Sequence, residues 1–75
     1  MRLGAMAAVI LQTLMKTVVI AELRTEPEKL LFLGFDSNAR AIEVITDTGI
    51  SGQVYIIHAD LITTSNEKLL EEVLK

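Results

Sequence analysis

The stretch "GQVYIIHADLITT", residues 52–64, carries the one histidine of the chain, His58, inside an aliphatic run. An imidazole titrates near neutrality and can act as a general acid or base where a pocket admits a substrate. Side chains alternate along an extended segment, so Val54, Ile56 and His58 share one face, with Tyr55, Ile57 and Ala59 on the other. Two readings are open. His58 sits near a strand end with one ring nitrogen hydrogen-bonded, or it lines a pocket as an acid or base. Glu43 raises the same question inside "RAIEVITD", residues 40–47, where it alternates with apolar neighbours. If its face is buried, the carboxylate needs a partner such as Arg40 or His58, because an unpaired buried charge is costly. Otherwise it faces solvent. Tyr55 offers a hydroxyl on an aromatic body better suited to packing. Asp36, Asp47 and Asp60 flank strands at solvated turn positions, where two of them would bind a metal only if folding brought them together.

The remaining chemistry is bounded by what the chain lacks. It has no cysteine, which removes disulfides, thiolate chemistry and Cys-based zinc sites. A single histidine makes a zinc centre a poor expectation as well. No phosphate-binding glycine loop, Gly-x-Ser-x-Gly elbow, dinucleotide fingerprint or metal-ligand cluster is present. The expectation is therefore a protein with no metal and no cofactor. The absence of thiols suits a reducing cytoplasm.

The elements that must position these residues come from 75 residues, expected to form a single α+β domain spanning 1–75 with a thin core. The hydrophobic fraction of 51% is high for so small a chain and points to a homo-oligomer that shares its surplus apolar surface. Ten acids against seven Lys and Arg give a net charge of −3, with the basic residues scattered. That balance counts against nucleic acid as a partner of the isolated chain.

"LGAMAAVILQTLMKTVVIAEL" (Leu3–Leu23) is as long as a bilayer crossing, but Gln12, Lys16 and Glu22 argue against a membrane segment. Leu3, Ala7, Ile10, Leu11, Leu14, Val18 and Ala21 recur by threes and fours, which predicts a long amphipathic N-terminal helix. Its surplus apolar residues, Met15 and Val19, are expected to meet another protomer. Within that segment "TVVIA" (Thr17–Ala21) is rich in β-branched residues and is also readable as a short strand. Glu26 and Pro27 close whichever element precedes them.

"KLLFLGF" (Lys29–Phe35) reads as a strand buried on both faces, "DSNA" (Asp36–Ala39) as a turn, and "RAIEVITD" as a second, alternating strand. In that second strand Ala41, Glu43 and Ile45 point one way and Ile42, Val44 and Thr46 the other. Gly49 and Gly52 mark a loop before "VYIIHADL", the third strand, which completes an antiparallel β-meander. Thr64 and Glu67 have capping-box spacing ahead of a short C-terminal helix with an apolar stripe and a Glu71–Lys75 pair. The expected order is α-β-β-β-α, with homo-oligomer contacts through Leu3–Leu23 and the sheet.

"LGFDSNARAIEVITD" followed by "VYIIHADLIT" resembles the C-terminal half of BrnT-like toxins of the RelE/ParE superfamily, over residues 33–62. The residues that carry the resemblance are Leu33, Gly34, Asn38, Arg40, Ile42, Glu43, Val44, Ile57, His58 and Ala59. Ala39 stands where that pattern has a glycine, and Asp60 where it has an apolar residue. The resemblance implies a compact toxin held by an antitoxin protein, acting as an endoribonuclease or translation inhibitor. By carry-over Arg40 contacts phosphate or the cleaved strand, His58 serves as acid, base or sheet-positioning group, and Glu43 completes the candidate catalytic set. The residues themselves, taken without the resemblance, point to a non-enzymatic homo-oligomer acting through a hydrophobic association or ligand-binding surface.

Overall fold

The structure is a computed structural model that describes residues 15–75. These residues form strands β1 (Lys16–Thr25), β2 (Glu28–Phe35), β3 (Ala41–Thr48) and β4 (Val54–Leu61), followed by helix α1 (Thr64–Leu74). The strands make one antiparallel sheet in the order β1-β2-β3-β4. The order is thus β-β-β-β-α, and the expected α-β-β-β-α arrangement with a three-stranded meander is corrected.

The correction lies in the Leu3–Leu23 segment. Residues from Lys16 onward are strand rather than helix, while residues 3–14 of the expected helix lie outside the described residues. Four consecutive residues, Thr17, Val18, Val19 and Ile20, are β-branched, and such side chains lose rotamer freedom in a helix but pack well on a pleated surface. A second cause is β2. It is apolar on both faces, and its backbone groups need a neighbour on each side. β1 supplies one of them, in register from Lys16 opposite Phe35 to Thr25 opposite Glu28. Glu26 and Pro27 form the turn between them, with a cis peptide bond.

The alternation of β2 divides the core between the two faces of the sheet. On one face Leu30, Phe32 and Val44 pack with Met15 and Ile42. On the other, Leu31 and Leu33 pack under Leu70 of α1, flanked by Val18, Val19, Ala21, Phe35, Ala41, Ile45 and Ile62. The expected facing of Ala41 and Ile45 away from Ile42 and Val44 is what the two clusters show. Each fully buried side chain such as Phe32 or Leu33 contributes about 1.5–3 kcal/mol. The helix rests on β1 and β2, so the β3–β4 half of that face is only lightly covered.

A Cβ at Gly34 would lie 2.0 Å from the carbonyl oxygen of Lys16, so the close approach of β1 to β2 requires glycine there. β1 bulges at Val18 and Leu23, the residues skipped in its register with β2. Between β2 and β3 the Asp36 carboxylate accepts from the backbone N–H groups of Asn38 and Arg40, each at 2.9 Å. Ala39 completes that corner with a φ of 60°, a left-handed conformation that costs an L-residue roughly 1–2 kcal/mol. The β3–β4 loop closes through Gly49 and Gln53, with Gly52 at a φ of 83°.

Two local expectations about the helix also change. Its N-cap is Thr63, so the Thr64–Glu67 capping box does not form. Instead the Glu67 N–H donates to the Thr63 carbonyl as the first helical turn. Lys75 donates to Glu72 rather than to Glu71.

Candidate functional site

His58 and Glu43 meet because β4 carries one extra residue. Ile45 faces His58 across the ladder, but the next pair is Thr46 with Ile56, which leaves Ile57 as a bulge. Residues opposite one another in a ladder share a face. Val54 and Ile56 therefore join the face of Thr46 and Thr48, whereas His58 turns to the face of Ile45 and Glu43. The expected common face for Val54, Ile56 and His58 is overturned, since a bulge reverses the alternation beyond it.

On that second face the imidazole Nε2 of His58 lies 2.8 Å from Oε2 of Glu43. The other carboxylate oxygen, Oε1, accepts from the Thr63 N–H at 2.6 Å and from the Asn66 side-chain amide at 3.2 Å. Glu43 is 3% exposed, so its partners, and not water, satisfy it. Burial alone would raise its pKa. The hydrogen bonds from Thr63, Asn66 and His58 outweigh that and hold it at about 2, below its ordinary value of 4.5. An ionised carboxylate only accepts, so Nε2 carries the proton and a neutral ring keeps Nδ1 as its acceptor. The His58 side chain is 40% exposed, so its ring is held at one corner and open to solvent at another.

Glu43 thereby closes the start of α1. Thr63 makes no side-chain cap, and the carboxylate of Glu43 takes its place at the positive end of the helix. Of the two readings open for Glu43, the buried and partnered one holds, with His58 rather than Arg40 as the partner. Thr63 and Asn66 were missed as members of this cluster. The run Thr63-Thr64-Ser65-Asn66-Glu67 permits the helix to start after Thr63 or after Thr64, and it starts after Thr63 with no side-chain cap from that residue.

Arg40 stands apart. Its Nε donates to Asp36 at 2.9 Å, bracing the β2–β3 corner, and the rest of its side chain is exposed. The backbone N–H of Arg40 is the largest influence lowering the Asp36 pKa. Desolvation opposes it, and the Arg40 side chain and the Asn38 N–H reinforce it. The three candidates thus divide into a Glu43–His58 pair and a separate Arg40–Asp36 pair.

Asp36 and Arg40, together with Ile42, Ala59, Asp60 and Leu61, line an open groove of about 350 Å³ at that end of the sheet. Asp47 pairs with Arg24, Asp60 accepts from the Leu61 N–H, and the Tyr55 hydroxyl donates to Gln53. Among the described residues no group of three His, Cys, Asp or Glu side chains is placed to hold a metal ion. No helix among them is long and apolar enough to cross a membrane. No family model, curated protein or solved structure matches the chain.

Proposed function

We propose that this chain is a non-catalytic α+β module that works by self-association through its sheet, in a reducing cytoplasm. One observation carries the proposal. Among the described elements β4 carries the most exposed large apolar side chains, with Tyr55, Ile56, Ile57 and Leu61 each about half open to solvent. Meanwhile the polar groups that looked chemical are occupied with structure. Glu43 and His58 fasten the helix start, and Arg40 braces a turn. A chain with 51% apolar residues gains by hiding such a strip against a copy of itself. Sedimentation at micromolar concentration tests this: a dimer or larger species is expected, and a clean monomer would contradict it.

A second reading, the toxin component of a toxin–antitoxin pair, draws on the half-open ring of His58 held against Glu43. It predicts growth arrest on induced expression, relieved by His58→Ala or Arg40→Ala. The net charge of −3 and the engagement of Arg40 by Asp36 weigh against a strand of RNA on this surface. Full viability under strong expression would remove this reading and leave the first.

A further inference from the structure

We infer that α1 is a hinged cover, able to leave the sheet as a unit and bare Leu31 and Leu33 while the four strands stay paired. The inference does not depend on the self-association proposed above. Among the described residues α1 is held to the sheet at two points. Leu70 is the one buried side chain of its eleven residues, and it packs on Leu31 and Leu33. At the helix start, the Thr63 N–H and the Asn66 amide donate to Oε1 of Glu43. The other large apolar side chains of the helix, Leu69, Val73 and Leu74, are exposed.

Away from the sheet the helix has little of its own to hold it. Its eleven residues fall short of the roughly 12–15 that even a favourable isolated helix needs in water. Its last turn has no basic residue and sets Glu71 and Glu72 at the negative end of the helix dipole. The sheet, by contrast, keeps its ladder when α1 leaves. The Ile62 N–H donates to the Ala41 carbonyl at 3.1 Å, which continues the β3–β4 pairing and puts the hinge at Thr63. Thr63 is exposed, with an extended backbone at φ −76° and ψ 159°. Leu30, Phe32, Val44 and Met15 lie on the opposite face and retain their packing. The latch divides along the same line. Glu43 and His58 belong to β3 and β4 and stay together, while Thr63 and Asn66 depart with the helix. Water then reaches Oε1 of Glu43, buried until that moment, and offsets part of the two hydrogen bonds lost. Opening therefore costs less than unfolding the sheet.

Native-state amide hydrogen exchange of the full chain tests this, with wild type compared to Val44→Ala. Val44 is buried on the face away from α1 and stands opposite Phe32 in the ladder. In wild type the amides of α1 should exchange at least about 100-fold faster, relative to their intrinsic rates, than those of the central strand β2. Val44→Ala weakens the sheet equally in the closed and open forms. The β2 amides should then exchange about 10-fold faster or more, while the α1 rates stay as they were. If Val44→Ala does not fold, Ile42→Val, a smaller cut beside the same cluster, takes its place with an expected acceleration of about 3-fold in β2 alone. Helix amides as protected as those of β2, or helix exchange that accelerates together with β2 in the sheet variant, would overturn the hinged cover.

Discussion

Among the described residues β1 and β4 are the edge strands of one sheet, and they solve the problem of an edge in opposite ways. β1 is ten residues long, charged at Lys16, Glu22 and Arg24, and distorted by two bulges. β4 is eight residues long, mostly apolar, and open along most of its length. The attachment of each strand to the rest of the molecule differs too. β1 is drawn in by backbone, where Gly34 lets the Lys16 carbonyl approach within the space a side chain would fill. β4, beyond its ladder with β3, is tied by side chains, through His58 to Glu43 and from Glu43 to the start of α1. The difference teaches that one edge carries the charges and bulges that discourage another strand, whereas the other leaves apolar side chains open to solvent.

The largest expected effect breaks the backbone seal on the β1 side. Gly34→Ala forces a Cβ against main-chain atoms of Lys16 that have no flexible way out, so a loss of about 3 kcal/mol or more is expected in urea denaturation. A variant as stable as wild type would mean that β1 does not approach so closely.

The next effect loosens the β4 side. Glu43→Leu leaves the Thr63 N–H and the His58 ring without their acceptor, at a cost of about 2–4 kcal/mol. The same latch gives a pH dependence with a definite sign. The folded pKa of Glu43 is about 2 against an ordinary 4.5, so its stabilisation is fully present above pH 4.5 and lost as pH falls towards 2. On the order of 2–3 kcal/mol should disappear across that window in acid denaturation. The Glu43→Gln variant should lack this component, and an identical acid profile for it and wild type would contradict the latch.

Smaller effects sharpen the contrast between the strands. Ile57→Lys on β4 and Leu23→Lys on β1 both alter half-exposed side chains, so each should change the stability of the single chain by less than about 0.5 kcal/mol. Their effects on association should differ, with Ile57→Lys disruptive and Leu23→Lys silent in sedimentation. A further small change is Ala39→Gly. Relief of the left-handed φ, less the entropy that glycine loses on folding, should stabilise the chain by about 0.5 kcal/mol. A destabilised Ala39→Gly variant would show that the corner does not hold that conformation.

Much of the middle of this fold is legible in the residues. Lys29–Phe35 reads as a doubly buried strand because it is continuously apolar, and Asp36–Ala39 reads as a turn because Asp, Ser and Asn suit one. The opening strand is hidden because Val18 and Ala21 fit helical spacing as well as they fit an extended run. The choice is made by β2, a long-range partner that local periodicity does not register. The facing of His58 is hidden for a different reason. Strict alternation assumes an unbroken ladder, and the one extra residue at Ile57 reverses it. That Glu43 would need a partner if buried follows from its charge. That the partners include Thr63 and Asn66 depends on where α1 begins, and Thr63-Thr64-Ser65-Asn66-Glu67 permits two starting points.

The contrast between the edges is tested most directly by amide hydrogen exchange of the unmodified chain at two concentrations, one above and one below the dimer dissociation constant. Outward-facing amides of β4 should be protected at the higher concentration and exchange freely at the lower, while those of β1 remain the same at both. Protection in β4 that ignores concentration, or a change that appears in β1 instead, would contradict the account.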